Sequence, residues 1–328
     1  MKIKTGLLLA LAIILGACSQ PSADRELMKK DALLANQRPL KGVSISPKSY
    51  SQDDFLSFMA MVDETQDMLT WAGDWQLLDL DGESPPKTIM ELSNEFAYVP
   101  VVLAGHYIQS SGELFRPFDD ATQEVYEDLA LRFVETYKPA YFGMGVEINI
   151  FAEKNPAEFE RFVPFYNDLY ASIKEISPAT QVFTVYQLEA MKGLAMWGIE
   201  AYTPQWEMLD LFAVDLAVFT TYPGLFYIDP AEMPEDHYTE ILEHTTRPVA
   251  FAEIGWHSAP SPQGWESSEA EQAQFLEKFF TLTDGLEIDF LVWSFLFDPA
   301  SIEPFDSMGL FRADGSARPA WGVWMAER

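Results

Sequence analysis

The stretch YFGMGVEINIF, residues 141–151, reads as a β-strand buried on both faces. Apolar side chains fill most of its positions, a pattern typical of a parallel strand that is covered on both sides. Glu147 and Asn149 interrupt the run. An ionised carboxylate in apolar surroundings is costly unless it is paired or hydrogen-bonded. The stretch therefore predicts a buried parallel strand that carries functional polar side chains near its end.

The same kind of apolar run recurs along the chain and alternates with longer amphipathic stretches. Seven further runs predict strands, at 41–47, 67–75, 98–107, 181–189, 215–223, 247–256 and 289–298. The clearest helical patterns between them cover 121–137, 156–176 and 269–283, with a short one in 85–96 and an ambiguous one in 203–212. Alternating strands and helices are typical of βα units that build a parallel sheet.

The number of units distinguishes a closed barrel from an open sheet. Eight predicted strands in residues 39–328 match the size and repeat of a (β/α)₈ barrel. An open nucleotide-binding sheet usually has a glycine-rich first turn, whereas the first turn here is SPKSYSQDD, residues 46–54. We therefore predict an α/β fold, a single (β/α)₈ TIM barrel over residues 39–328.

The first residues predict export. MKIKTGLLLALAIILGACSQ combines a basic start with an apolar run too short for a membrane span, as in a secretory signal peptide. The segment LGAC, residues 15–18, resembles the bacterial lipobox, which implies cleavage of residues 1–17 and a lipid on Cys18. Residues 18–38 then form a lipid-anchored tether, and Ser19 favours the outer membrane of the cell envelope. The alternative is an ordinary signal peptide that happens to contain a cysteine.

Composition excludes several classes of function. The formal net charge of −30 opposes binding to nucleic acid. One cysteine and four histidines provide no disulfide and no local metal-binding motif, so we expect no metal and no cofactor. We expect a monomer whose partners are a carbohydrate substrate and, through Cys18, the membrane.

In a (β/α)₈ barrel the functional residues lie at the carboxyl ends of the strands. Those ends provide carboxylates, amides, one histidine and several tryptophans: Trp71, His106, Glu147, Asn149, Gln187, Glu189, Tyr222, Glu253, Trp256 and Trp293. Indole and phenol faces stack on sugar rings, and two carboxyl groups can divide the work of breaking a glycosidic bond. This combination favours carbohydrate chemistry.

Two of these segments resemble those of clan A glycoside hydrolases, the retaining β-glycosidases on (β/α)₈ barrels. GMGVEIN, residues 143–149, resembles the fourth-strand acid/base segment, and PVAFAEIGW, residues 248–256, resembles the seventh-strand nucleophile segment. The resemblance implies that Glu147 is the general acid/base and Glu253 the nucleophile. It also implies that Tyr222 contacts the nucleophile and that Trp293 forms the floor of the cleft. Among these families the endo-β-1,4-galactanases and β-mannanases are the most similar.

Other strand-end residues complete the expected substrate site, and one position departs from the clan. Trp71, His106 and Trp256 are expected to contact sugar. Most clan members have Asn immediately before the acid/base residue, where this chain has Val146. Asn149 or Gln187 could replace its contact with the sugar. The missing Asn also supports the alternative function, a non-catalytic glycan-binding surface lipoprotein on a hydrolase-like barrel; a purely structural barrel is a third possibility.

Overall fold

A computed structural model describes residues 32–35, 38–195, 203–261, 266–301 and 303–326. The predicted signal peptide, Cys18 and most of the predicted tether lie outside these residues. Within them, nine parallel strands form one sheet: β1 Leu40–Ser44, β2 Met68–Asp74, β3 Val99–Gly105, β4 Tyr141–Met144, β5 Gln181–Phe183, β6 Val185–Gln187, β7 Ala217–Thr221, β8 Val249–Ile254 and β9 Ile288–Trp293.

The sheet closes into the predicted TIM barrel. The strand order is β5-β4-β3-β2-β1-β9-β8-β7-β6, and every pairing is parallel. β5 and β6 are the two halves of the predicted fifth strand and are separated only by Thr184. Because β5 pairs with β4 and β6 pairs with β7, this interrupted strand joins the two ends of the sheet.

Helices pack around the barrel between the strands. They are α1 Gln52–Thr65, α2 Pro85–Leu92, α3 Asp120–Tyr137, α4 Ile148–Lys154, α5 Pro156–Ile176, α6 Leu188–Met191, α7 Glu269–Leu282 and α8 Pro319–Ala326. The predictions of α2, α3, α5 and α7 are confirmed, because an apolar stripe facing the barrel gives a strong helical periodicity. The ambiguous segment 203–212 contains a 3₁₀ helix, Trp206–Asp210. No helix among the described residues is both long and apolar enough to cross a bilayer.

The prediction that the fourth strand extends to residue 151 is wrong. β4 ends at Met144, and α4 begins at Ile148. Gly145 has φ +83° and Glu147 has φ +57°, so the backbone turns sharply between the two elements. Apolar side chains continue through α4 because that short helix is itself buried, and a short apolar run does not distinguish a buried helix from a buried strand. The predicted fifth strand also stops early, at Gln187, where α6 begins.

Candidate active site

A cleft of about 1060 Å³ opens at the carboxyl ends of the strands. Four predicted site residues line it, namely Trp71, Glu147, Tyr222 and Glu253. The two glutamates come from opposite halves of the chain, after β4 and within β8. The barrel thus brings together the pair of carboxyl groups that the sequence singled out.

The turn after β4 directs Glu147 into the cleft. Glu147 is one of two non-glycine residues with positive φ among the described residues, and its ψ is 48°. This left-handed conformation costs about 1 kcal/mol or more for a residue with a Cβ. The Tyr107 hydroxyl donates to the Val146 carbonyl at 2.7 Å, and the Gly145 N–H donates to the Ala104 carbonyl at 3.0 Å. Neighbouring β3 and its loop therefore hold the turn in a conformation that the sequence alone would not favour.

Glu147 has the environment of a carboxylic acid that stays protonated. Burial, and next the negative charge of Glu253, raise the pKa of Glu147 to about 8. One hydrogen bond opposes this shift, from the Thr220 hydroxyl to Glu147 Oε1 at 2.8 Å. Thr220 is also the register partner of Glu253 between β7 and β8, so one residue lies beside both glutamates. At neutral pH the geometry favours a proton on Glu147.

Glu253 has more support for its negative charge. The Tyr222 hydroxyl donates to Glu253 Oε2 at 2.6 Å and lies 2.9 Å from Ser294 Oγ. Burial raises the pKa of Glu253, and hydrogen bonds from Tyr222 and Gln109 oppose that shift. Hydrogen bonds to a carboxylate stabilise its ionised form. The two carboxyl groups therefore have environments suited to different protonation states.

We expect Glu147→Gln to stabilise the protein at neutral and alkaline pH. A folded-state pKa of about 8 against an ordinary 4.5 means that wild-type Glu147 loses stability as pH rises through that window, since the unfolded chain releases its proton first. The melting temperature of the variant relative to wild type should therefore increase from pH 4.5 to about 8 and then level off. Thermal melts across this range measure it.

Asp119→Asn is the opposite control. Asp119 caps α3 by accepting from the Thr122 N–H at 2.9 Å, and this hydrogen bond holds its pKa below 3.8. Its stabilising contribution is present above pH 3.8 and is lost as pH falls through the folded-state pKa, so the variant should be less stable at neutral pH. A Glu147→Gln protein that melts at or below wild type across the whole range would contradict the buried-acid interpretation.

A third buried carboxyl group, that of Glu189, lies outside the lining of the cleft. Glu189 is fully buried and accepts hydrogen bonds from Thr221 Oγ1 at 2.6 Å and from the Tyr222 backbone N–H at 3.3 Å. His237 Nε2 lies 3.2 Å from the same carboxyl group. Burial acts to raise the pKa of Glu189, but the hydrogen bonds from His237 and Thr221 outweigh it and lower that pKa. Glu189 therefore anchors the backbone of the residue that contacts Glu253.

The other predicted substrate-binding residues do not line the cleft. His106 is 1% exposed, lies against Phe118 and Phe162, and has its pKa lowered to about 3 by burial and next by the charge of Arg116. Trp293 is fully buried, and its indole N–H donates to the Met308 carbonyl at 2.9 Å. Trp256 is also fully buried and stacks on Phe275.

Asn149 and Gln187 satisfy each other rather than facing the cleft. The Asn149 side chain donates to the Gln187 carbonyl at 3.0 Å and accepts from the Gln187 N–H at 2.8 Å. The Gln187 side chain caps α6 by accepting from the Ala190 N–H at 2.6 Å. These amides join α4, β6 and α6, so the structure gives neither of them the contact with sugar that the missing clan Asn would make.

Several cleft residues were not singled out from the sequence. Gln109 follows β3 in a loop, while Ser294 and Phe295 follow Trp293 at the end of β9. Phe305 packs edge-on against the Tyr222 ring at 5.2 Å between centroids. The WSF sequence at 293–295 has an aromatic residue on each side of Ser294, and this pattern could have indicated cleft residues after β9. No group of three or more histidine, cysteine or acidic side chains among the described residues could hold a metal ion.

Comparison of the fold with known structures finds barrels of carbohydrate-active enzymes. A family 39 glycoside hydrolase from Bacteroides cellulosilyticus WH2 aligns with a TM-score of 0.61 and 15% identity, over 88% of this chain and 63% of that chain. Xylanase 10B from Thermotoga maritima aligns with a TM-score of 0.62 and 13% identity, over 90% and 99% of the two chains. A β-glucuronidase from Bacteroides uniformis aligns with a TM-score of 0.62 and 15% identity, over 89% of this chain but only 34% of that chain.

Sequence comparisons add no narrower assignment. No protein-family model matches the chain, and no curated protein matches it. At 10–15% identity the structural matches show a shared TIM-barrel fold. None of the three enzymes named above is a galactanase or a mannanase, so that finer resemblance stays a prediction.

Proposed function

We propose that this protein is a retaining glycoside hydrolase that cleaves a β-linked poly- or oligosaccharide. The observation that carries the proposal is the unequal pair of glutamates in one cleft. Glu147 is held where its protonated form is favoured, and Glu253 accepts hydrogen bonds from Tyr222 and Gln109. Retaining hydrolysis needs an acid and a nucleophile in these two states on either side of the scissile bond.

The reaction proceeds in two displacements. In the first, a Glu253 oxygen attacks the anomeric carbon, the glycosidic C–O bond breaks, and the Glu147 proton goes to the departing oxygen. In the second, Glu147, now ionised, removes a proton from water. That water attacks the anomeric carbon and releases Glu253. The sugar leaves with its original configuration.

The deciding experiment measures both cleavage and stereochemistry. The purified chain is incubated with β-galactans, β-mannans, β-glucans and β-xylans, and new reducing ends are counted. Proton NMR of the fresh product then identifies the first anomer released, which should be β. An α product would exclude a retaining mechanism, and the absence of cleavage on every polymer would remove the enzyme assignment.

Val146 favours a second candidate, a glycan-binding protein without turnover. The backbone carbonyl of Val146 is bound by Tyr107, and its apolar side chain gives no hydrogen bond to a sugar hydroxyl. This candidate predicts that a polymer binds wild type and Glu253→Gln equally while no reducing ends form.

The proposed location is the outer membrane of a bacterial cell envelope, with the chain anchored by a lipid on Cys18. The support is the LGAC segment after an apolar leader. Labelling cells with a radioactive fatty acid should mark the wild-type protein, and Cys18→Ala should abolish the label. Equal labelling of both proteins would contradict the anchor.

A further inference from the structure

Two consecutive threonines at the end of β7 bind different carboxyl groups. The Thr220 hydroxyl donates to Glu147 Oε1 at 2.8 Å, and the Thr221 hydroxyl donates to Glu189 Oε1 at 2.6 Å. Both threonines are fully buried, and successive side chains on a strand point to opposite faces of the sheet. Of the two, Thr220 is therefore the one that reaches a carboxyl group of the cleft.

An irregularity in the sheet brings this threonine level with the second glutamate of the cleft. Phe219 on β7 pairs with Phe251 on β8. The next pair is Thr220 with Glu253, so the pairing skips Ala252. An extra residue of this kind redirects the side chains that follow it, and such irregularities are frequent beside active sites. The threonine that binds the proposed acid therefore lies level with the proposed nucleophile.

No other described side chain donates a hydrogen bond to the carboxyl group of Glu147. The titratable groups that influence its charge or are influenced by it come from four neighbouring elements: Glu253 on β8, Glu189 on α6, Tyr107 after β3 and Tyr222 after β7. The two carboxylates are acceptors, and both tyrosine hydroxyls donate to other groups. Within the part of the chain that the structure describes, Thr220 is thus the one donor to this carboxyl group.

The two carboxyl oxygens of Glu147 have different surroundings. Oε1 accepts the hydrogen bond from Thr220, whereas Oε2 has no hydrogen-bond partner among the described residues. Oε2 is not one of the unpartnered polar atoms that are fully buried, so it keeps accessible surface. Since Glu147 lines the cleft, Oε2 is the oxygen that a ligand in the cleft can reach.

The hydrogen-bonding needs of Thr220 determine which of these oxygens carries the proton. The described residues offer its hydroxyl no acceptor other than Glu147 Oε1. If Oε1 carried the proton, that proton would point at Thr220, and the hydrogen of the threonine hydroxyl would be buried without an acceptor, which costs free energy. If Oε2 carries the proton, the hydroxyl is satisfied and the acidic hydrogen lies on the oxygen that the cleft exposes.

We propose that Thr220 is a positioning residue that keeps the acidic proton of Glu147 on Oε2, where a glycosidic oxygen can take it. This role rests on the hydrolase function proposed above. In the first displacement the Oε2–H bond breaks, the leaving oxygen gains the proton, and the electron pair stays on the carboxylate. Negative charge then spreads to Oε1, where the hydrogen bond from Thr220 becomes stronger. Thr220 thus stabilises the transition state more than the ground state.

Carbon-13 NMR of protein labelled at the glutamate carboxyl carbons measures this proton without a substrate. The signal that disappears in Glu147→Gln identifies the residue, and in wild type it should titrate near the pKa of about 8. In Thr220→Val, where a methyl group replaces the hydroxyl, the midpoint should be about one pH unit higher, because the ionised form loses its donor. Thr220→Ser keeps a hydroxyl and should titrate as wild type does.

Rates on aryl β-glycosides measure the consequence for catalysis. kcat/KM reports the first displacement, in which a phenol that leaves poorly needs more proton donation than one that leaves well. Thr220→Val should lower kcat/KM by about 10- to 100-fold for a phenyl glycoside and by about 3-fold or less for a dinitrophenyl glycoside.

Thr180→Val is the matched control for the loss of a buried threonine hydroxyl. Thr180 precedes β5, at the opposite end of the barrel, and its hydroxyl donates to the Pro139 carbonyl at 2.8 Å. This variant should melt at a lower temperature than wild type but keep the wild-type NMR midpoint and the wild-type dependence on the leaving group.

Each result decides the proposal. A raised midpoint in Thr220→Val, with wild-type behaviour in Thr220→Ser, supports it. An unchanged midpoint overturns it, as does an equal loss of kcat/KM for every leaving group. A lower midpoint also overturns it, because Thr220 would then accept the proton of Glu147 instead of donating to Oε1. If no glycoside is cleaved, the hydrolase proposal fails, and the midpoint alone decides whether Thr220 controls the proton of Glu147.

Discussion

Glu253→Gln is expected to reduce kcat by about 10⁴-fold or more, the scale of loss when an enzyme's covalent nucleophile is removed. The amide keeps the size of the side chain and can still accept from Tyr222, which lies 2.6 Å from the carboxylate oxygen in wild type. It cannot form the glycosyl ester, because a neutral amide oxygen is a poor nucleophile. Initial rates on the polymer identified by the substrate panel measure the loss.

Glu147→Gln should separate the two displacements. An aryl glycoside with a good leaving group needs little proton donation, so the first displacement should survive in this variant while the second, which needs a general base, slows. A burst of nitrophenol followed by slow turnover is the expected trace.

Glu83→Gln, at an exposed carboxylate of the same cleft, is the charge-matched control for Glu253→Gln and should retain turnover. If Glu253→Gln and Glu83→Gln had similar activity, the nucleophile assignment would be wrong.

The barrel and its two glutamates could be predicted because the signals are local. Each strand and helix has a hydrophobic periodicity that can be read from its own sequence, and the order of strands in a βα barrel follows their order in the chain. GMGVEIN and PVAFAEIGW therefore placed Glu147 and Glu253 at the correct edge of the barrel without knowledge of any distant contact.

The direction of individual side chains could not be predicted in the same way. Trp293 and Phe295 lie two residues apart at the end of β9, yet only Phe295 lines the cleft, while Trp293 packs towards Phe275 and Trp324. Residues two apart on a strand share a face, but β9 ends at Trp293, so Phe295 lies beyond the strand and its side chain does not follow that alternation. β8 and β9 pair with register shifts, which no local pattern records.

Polar residues near strand ends were misleading for a related reason. Asn149 lies beyond the true end of β4 and Gln187 is the last residue of β6, and after each strand the chain turns into a short buried helix that needs hydrogen-bond partners of its own. Their amides form hydrogen bonds that hold these turns together, but in the sequence an amide near a strand end has the same appearance as a substrate-binding residue. Conversely, Gln109 gave no signal because its approach to Glu253 depends on the path of a loop after β3.

Tyr222→Phe is expected to lower kcat/KM by about 10- to 100-fold, the effect of removing one hydrogen bond to a charged group. The Tyr222 hydroxyl donates to Glu253 at 2.6 Å and lies 2.9 Å from Ser294 Oγ, and the Tyr222 backbone N–H donates to Glu189 at 3.3 Å. The variant keeps the ring, so the packing against Phe305 remains. Gln109 remains as a donor to the carboxylate, which is why the loss should be smaller than for Glu253→Gln.

The pH profile of Tyr222→Phe distinguishes this role from simple packing. Burial raises the pKa of Glu253 above 4.5, and the Tyr222 hydrogen bond opposes that rise. Without the hydroxyl the pKa of Glu253 increases further, so the acid limb of kcat/KM moves to higher pH. The alkaline limb, which reports Glu147 with its pKa of about 8, should move little.

Tyr126→Phe controls for the loss of any buried phenol. Its hydroxyl donates to the Ala104 carbonyl at 2.9 Å outside the cleft, so this variant should lose stability without a change in either limb. If Tyr222→Phe lowered activity equally at every pH, the tyrosine would act on substrate binding or packing. A shift of the acid limb alone would instead mean that Tyr222 holds Glu253 in the ionised state that attack on the anomeric carbon requires.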